Sequence, residues 1–195
     1  MKILIIGPLG AGKSTLAYSI NKKYGVPRLN LDEVQRIKDG GYRNEDEQFA
    51  ILKDFLDKNS SWVMEGCQKT LYEKVKADLI VDMRISRLKA IWRFTLRFIK
   101  AKKLIGKDIS PELPVQAYHY RKITLSKILD WDSANKEINQ QIADYLRNIK
   151  IPIIKCKGFS DYQKIFEVID NFSSYSAYLA SPIQTADIKT AVFSF

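Results

Sequence analysis

Gly7-Pro8-Leu9-Gly10-Ala11-Gly12-Lys13-Ser14-Thr15 matches G-x-x-x-x-G-K-[ST], the pattern of a phosphate-binding loop. Its flanks decide how that string folds. Ahead of it, Lys2-Ile3-Leu4-Ile5-Ile6 is a short β-branched apolar run, as expected of a buried parallel strand. Behind it, Leu16, Ala17 and Ile20 share one face of a helical stretch. A strand, a glycine-rich turn and a helix are the parts the loop requires. Glycine lacks the Cβ that would keep the backbone away from an anion. The N–H groups of Gly7, Gly10, Ala11, Gly12 and Thr15, with the helix N-terminus behind them, are then available to a phosphate. In such a loop Lys13 reaches the β- and γ-phosphates, and the Ser14 hydroxyl ligates Mg²⁺. The string predicts a nucleoside triphosphate, not a reaction.

Composition sets the surroundings. A chain of 195 residues, 46% of them hydrophobic, can bury the core of one globular domain. No apolar run approaches the roughly 20 residues that span a bilayer, and the opening apolar run is too short for a signal peptide. Cys67 and Cys156 form neither a disulfide framework nor a metal-ligand spacing. A reduced, cytoplasmic compartment is expected. The net charge of +10 is concentrated: residues 84–130 hold 12 Lys+Arg against 3 Asp+Glu, which leaves +1 for the rest of the chain. The partner of that segment is expected to be local and anionic.

Open parallel sheets bind ligands beyond the carboxyl ends of their strands, so acids there are candidates for chemistry. Arg28-Leu29-Asn30-Leu31 reads as a second strand ending in Asp32-Glu33. Asp32 either faces the loop's crevice or caps the helical segment that follows. Trp62-Val63-Met64 reads as a third strand ending in Glu65-Gly66, and Leu79-Ile80-Val81-Asp82-Met83 as a fourth. Glu65 and Asp82 compete for the role of Mg²⁺-linked acid, and the strings alone leave both open.

Between these strands, Asn44 with Glu47 predicts a capping box opening a helix with Phe49, Leu52, Phe55 and Leu56 inward. Residues 86–103 read as one basic helix. Leu88, Ile91, Trp92, Thr95 and Ile99 form its expected buried stripe, and Lys89, Arg93, Arg97 and Lys100 a cationic row suited to phosphate. A solvated charged face and a membrane-surface helix are the alternatives for that row. Residues 104–120 have the length and irregularity of an active-site lid. Arg121 at its end is a candidate for nucleotide contact, whereas the neighbouring His119 has no partner that would give it a role. A helix is expected from Ser133, and a fifth strand over residues 151–156, followed by the turn Lys157-Gly158-Phe159. Ser160-x-x-Gln163 predicts a capping box for a last helix.

In this order, the loop GPLGAGKST, Leu31-Asp32, Trp62-Val63-Met64-Glu65-Gly66, Ala77-Asp78 before the Asp82 strand, and Trp92-Arg93 in an Arg-rich helix form a familiar series. It resembles the adenylate-kinase-related P-loop proteins often labelled DNA topology modulation proteins, and more broadly the nucleoside and nucleotide kinase group. The resemblance implies a P-loop NTPase three-layer α/β sandwich. Its sheet would have five parallel strands in the order 2-3-1-4-5, helices on both faces and a lid insertion. The kinase-like domain would span residues 1–172, with the lid at about residues 100–132 and a tail at 173–195. It implies ATP on the loop and a phosphoryl acceptor near Asp32 and Glu65. It favours Glu65 over Asp82 for the metal, because the family's Asp-Gly pair falls at Glu65-Gly66. Arg87, Arg93 and Arg97 would bind phosphate, and the backbone of Lys157 and Gly158 would flank the adenine.

The expected function is ATP- and Mg²⁺-dependent phosphoryl transfer to a nucleotide or another small hydroxyl or phosphate acceptor. Lys13 and the loop would hold the phosphates, Ser14 and Glu65 the metal, and Asp32 the acceptor hydroxyl. Arg93, Arg97 or Arg121 would offset the charge of the transition state. The competing reading is a nucleic-acid-binding or regulatory P-loop NTPase that uses residues 84–130 as its phosphate footprint. No helix-turn-helix, zinc or aromatic-sheet signature accompanies it.

Overall fold

The computed structural model describes residues 1–37, 41–103 and 131–179. Of the lid expected at about residues 100–132, residues 104–130, with His119 and Arg121, lie outside them, as do residues 180–195; its two ends fall in helices. The chain divides into two compact units, Met1–Tyr162 and Gln163–Phe195.

The first unit is built on five parallel strands: β1 (Lys2–Ile6), β2 (Arg28–Asn30), β3 (Trp62–Glu65), β4 (Leu79–Met83) and β5 (Ile153–Cys156). Their order is β2-β3-β1-β4-β5, as the resemblance implied. β1 is central because it is apolar on both faces; Ile3, Leu4, Ile5 and Ile6 are all fully buried. Asp78 sets its register with β4, since its carboxylate accepts from Lys2 N (2.7 Å) and its own N–H donates to Lys2 O (2.8 Å).

Side chains alternate across a strand, so the sheet has two distinct faces. Leu4, Ile6, Trp62, Met64 and Ile80 pack on one face with Leu52, Leu71 and Ile142. These last three come from helices α3 (Glu45–Lys58), α4 (Lys69–Tyr72) and α6 (Trp131–Arg147). The other face is covered by α1 (Lys13–Tyr24), which packs on β1, β2 and β3 and buries Leu16, Ala17 and Ile20. α1 ends at Gly25, whose φ of 67° is the left-handed conformation of a helix-terminating glycine. The capping box at Asn44 and Glu47 forms as expected at the start of α3.

Four expectations change. Asp32 does not cap the helix after β2. That helix, α2 (Leu31–Gln35), is capped by Asn30, whose side chain accepts from the N–H of Asp32 and of Glu33, and Asp32 sits in its first turn. Helix α5 (Arg87–Lys103) does not bury the expected stripe: Leu88 is 80% and Trp92 64% exposed, and Ile99 is exposed too. Its inward contact is Ala90, fully buried. The helix backbone comes close to the loop there, since a Cβ on Gly10 would lie 3.3 Å from Ala90 O. Ser160 lies in a 3₁₀ turn, Phe159–Asp161, and the last helix, α7 (Tyr162–Leu179), opens after it, so no box forms at Ser160. That helix runs on to Leu179, into the stretch read as a tail. Among the described residues no helix is long and apolar enough to cross a membrane.

Candidate active site

The loop after β1 needs its glycines. Gly7 has φ 154°, and a Cβ there would lie 2.5 Å from Met83 O and 2.7 Å from Met83 Cβ. Gly12 stands at the N-cap of α1 with φ 102° and offers no side chain to compete for the N–H groups at the helix start. Three N–H groups of the stretch already have acceptors: Leu9 N–H donates to Asn135 Oδ1 at 2.8 Å, Ala11 N–H to Pro8 O at 3.3 Å and Thr15 N–H to Gly12 O at 3.1 Å. Arg93 reaches back from α5 and donates to Gly10 O and Ala11 O, each at 3.2 Å. Tyr162 donates its hydroxyl to Gly12 O at 3.4 Å. Helices α5, α6 and the start of α7 thus each place one polar side chain on the loop.

Lys13 is buried and donates to Gly7 O (3.0 Å), Pro8 O (3.1 Å) and Cys67 Sγ (3.1 Å). Burial opposes its charge, but Cys67, Asp32 and Glu65 more than offset this and hold its pKa above the ordinary lysine value. Asp32 Oδ1 accepts from Cys67 N at 3.1 Å. Gly66 permits the approach of α2, because a Cβ there would lie 2.8 Å from Leu31 Cβ.

The two competing acids differ sharply. Glu65 pairs in register with Ile5 of β1, and Asp82 with Ile6. Consecutive residues of β1 point to opposite faces, so the two carboxylates do as well. Glu65 falls on the α1 face. It is 1% exposed, and neither carboxylate oxygen has a hydrogen-bond partner of good geometry, although the Ser14 hydroxyl is close enough to favour the charged form. Burial pushes its pKa to about 7, with Lys13 pulling it down and Asp32 pushing it further up. Asp82 is on the other face, where its Oδ2 accepts from Arg84 Nε (2.8 Å) and Nη2 (2.7 Å). Burial raises its pKa, and Arg84 opposes the rise. A buried carboxylate with two orphaned oxygens beside a hydroxyl matches the hard-oxygen chemistry of Mg²⁺, which binds through one or two protein oxygens and phosphate. Glu65 with Ser14 fits that description, whereas Asp82 has its Oδ2 committed to Arg84 and only its Oδ1 without a partner. No cluster of three His, Cys, Asp or Glu occurs among the described residues.

Other expected residues are spread around this centre. Arg87, at the start of α5, lines an open cavity of about 440 Å³ with Pro8, Asn135 and Lys136. Arg97 lies further along α5. Lys157 N donates to Asp161 Oδ2 (2.6 Å) and Gly158 O accepts from Asp161 N (3.1 Å), which fixes the turn that leads to Tyr162. Cys67, Asn135 and Tyr162 were not legible as site residues. Each reaches the loop from far along the chain through one polar atom, and none carries a motif.

No protein-family model matches the chain. Curated relatives are adenylate kinases at low identity. That of Treponema denticola is 24% identical over 141 residues, 53% of this chain and 68% of the relative. That of Clostridium kluyveri is 26% identical over 171 residues, 77% of this chain and 78% of the relative. That of Malacoplasma penetrans is 25% identical over 182 residues, 80% and 83% of the two. Among solved structures, deoxyadenosine kinase from M. mycoides with bound dATP overlays with a TM-score of 0.49 at 18% identity, covering 89% of this chain and 100% of that one. Its loop, its sheet order and these relatives make the chain similar to the adenylate-kinase-related P-loop nucleotide kinases.

Proposed function

We propose that the protein is an ATP- and Mg²⁺-dependent kinase whose acceptor is a nucleoside, a nucleotide or a related small hydroxyl or phosphate compound. The observation that carries this reading is the convergence of Lys13, Ser14, Asp32 and Glu65 at the carboxyl edge of β1, β2 and β3. The kinase relatives support it. ATP supplies the transferable phosphoryl group, and Mg²⁺ neutralises charge on its phosphates. In this scheme an acceptor oxygen forms a bond to the γ-phosphorus, the bond to the β-phosphate oxygen breaks, and ADP leaves. Lys13 and the N–H groups of the loop hold the phosphates in line. Ser14 and Glu65 are the metal's protein oxygens. Asp32 orients the acceptor hydroxyl and takes its proton. Arg93, already on the loop carbonyls, lies where phosphate charge gathers, and Arg87, Arg97 and Arg121 are further phosphate contacts. The backbone of Lys157 and Gly158 flanks the base. Phosphoryl transfer depends mainly on positioning and charge neutralisation, and this cluster offers both.

The test is ADP formation from ATP and Mg²⁺ across nucleosides, nucleoside monophosphates and small hydroxyl metabolites, with Lys13→Ala alongside. Acceptor-stimulated turnover that Lys13→Ala abolishes is the expected result. Turnover that survives the substitution, or none with any acceptor, refutes the reading.

A further inference from the structure

The Lys13 ammonium has three N–H donors, and three acceptors take them: Gly7 O, Pro8 O and Cys67 Sγ. The Cys67 thiol in turn donates to Gly7 O at 3.3 Å, and the Cys67 backbone N–H donates to Asp32 Oδ1. One residue just beyond β3 therefore touches the lysine of the loop through its side chain and the carboxylate of α2 through its backbone. The three acceptors of Lys13 are unequal. Gly7 O and Pro8 O belong to the loop itself, and a carbonyl oxygen is a strong acceptor. Sulfur is a weak one. A phosphoryl oxygen bonds an ammonium with charge assistance, roughly twice as strongly as a neutral acceptor. The sulfur contact is the one that a phosphate displaces at least cost.

We propose that Cys67 is a positioning residue: it holds the third N–H of Lys13 in place until a phosphoryl oxygen of the nucleotide takes it. This rests on the kinase reading above and adds a residue that tunes nucleotide affinity. A stronger acceptor at 67 competes better with phosphate, and no acceptor does not compete at all. Cys67→Ser is therefore expected to weaken ATP binding, and Cys67→Ala to tighten it, each by about threefold to tenfold, the worth of one modest hydrogen bond. KM for ATP follows in the same opposite directions, whereas kcat changes by less than about twofold, because the contact is gone once phosphate is bound.

The experiment is calorimetric titration of the full chain and both variants with ATP and Mg²⁺, with Lys13→Ala as control and thermal unfolding to confirm folding. Opposite shifts in Kd for Ser and Ala are the expected result. A shift in one direction for both, as a merely structural cysteine gives, overturns the proposal, and so does an unchanged Kd in both. Failure of the wild-type chain to bind ATP, or binding that survives Lys13→Ala, overturns the kinase reading itself and the role of Cys67 with it.

Discussion

The ends of β3 and β4 carry the same kind of group and use it in opposite ways. Glu65 and Asp82 flank β1, are both buried, and stand last and next to last in apolar strands of similar length. Asp82 is neutralised where it stands: Arg84 holds one of its oxygens twice. Glu65 has no such cation of its own. The positive charge that acts on it most is Lys13, whose three N–H groups are already taken. Burying a carboxylate without hydrogen bonds is costly, and the raised pKa of Glu65 expresses that cost. A structural acid is arranged like Asp82. An acid left under-satisfied beside a glycine-rich loop is what a site for an outside ligand would need, as proposed for Glu65.

The largest expected effect separates the two acids by activity. Glu65→Gln keeps the shape and removes the charge, and turnover should fall by about a hundredfold or more. Asp82→Asn should change turnover by less than about tenfold. Its main effect should be a loss of about 1–3 kcal/mol of stability in denaturant titrations, because Arg84 loses its charged partner. Equal losses of turnover in both variants would erase the contrast.

A second effect reads the same contrast through pH. The folded pKa of Glu65 is raised from 4.5 to about 7, so the folded state holds this proton more tightly than the unfolded state. The resulting stability is fully present below pH 4.5 and is lost as pH rises through 7, at most about 3 kcal/mol in all. Glu65→Gln should remove that slope and be more stable than the wild type at neutral pH, where Asp82→Asn is less stable. Denaturant midpoints measured between pH 4.5 and 8 in the absence of Mg²⁺ decide it; a wild-type slope retained in Glu65→Gln would assign it to another group.

The smallest effect lies on the loop's outer arm. Asn135→Ala removes the acceptor of Leu9 N–H and should cost about 1 kcal/mol of stability with a modest rise in KM for ATP. An unchanged KM would limit Asn135 to a role in packing α6.

The central strand, the loop and the first helix were readable because local chemistry dictates them: β-branched residues, glycines at left-handed positions and an apolar helical face. The sheet order came with the resemblance to kinases, and the strand pairing agrees with it. What local patterns do not carry is register across strands. That Glu65 lies opposite Ile5 and Asp82 opposite Ile6 decides which face each occupies, and no string of residues states it. Helix α5 shows the same limit. Its periodicity identified a helix, but its contact with the loop is made by Ala90 and Arg93, which lie off the apolar stripe. Cys67, Asn135 and Tyr162 each touch the loop through one polar atom over long sequence separations, where neither spacing nor composition points to them.

The most direct test of the account is a Mg²⁺ titration of ATP turnover in the wild type, Glu65→Gln and Asp82→Asn, with the acceptor that the panel identifies. The wild type is expected to show a Mg²⁺ requirement that Asp82→Asn retains at nearly the same midpoint, and that in Glu65→Gln moves to much higher Mg²⁺ together with the loss of rate. A midpoint that moves in Asp82→Asn and stays fixed in Glu65→Gln would contradict it.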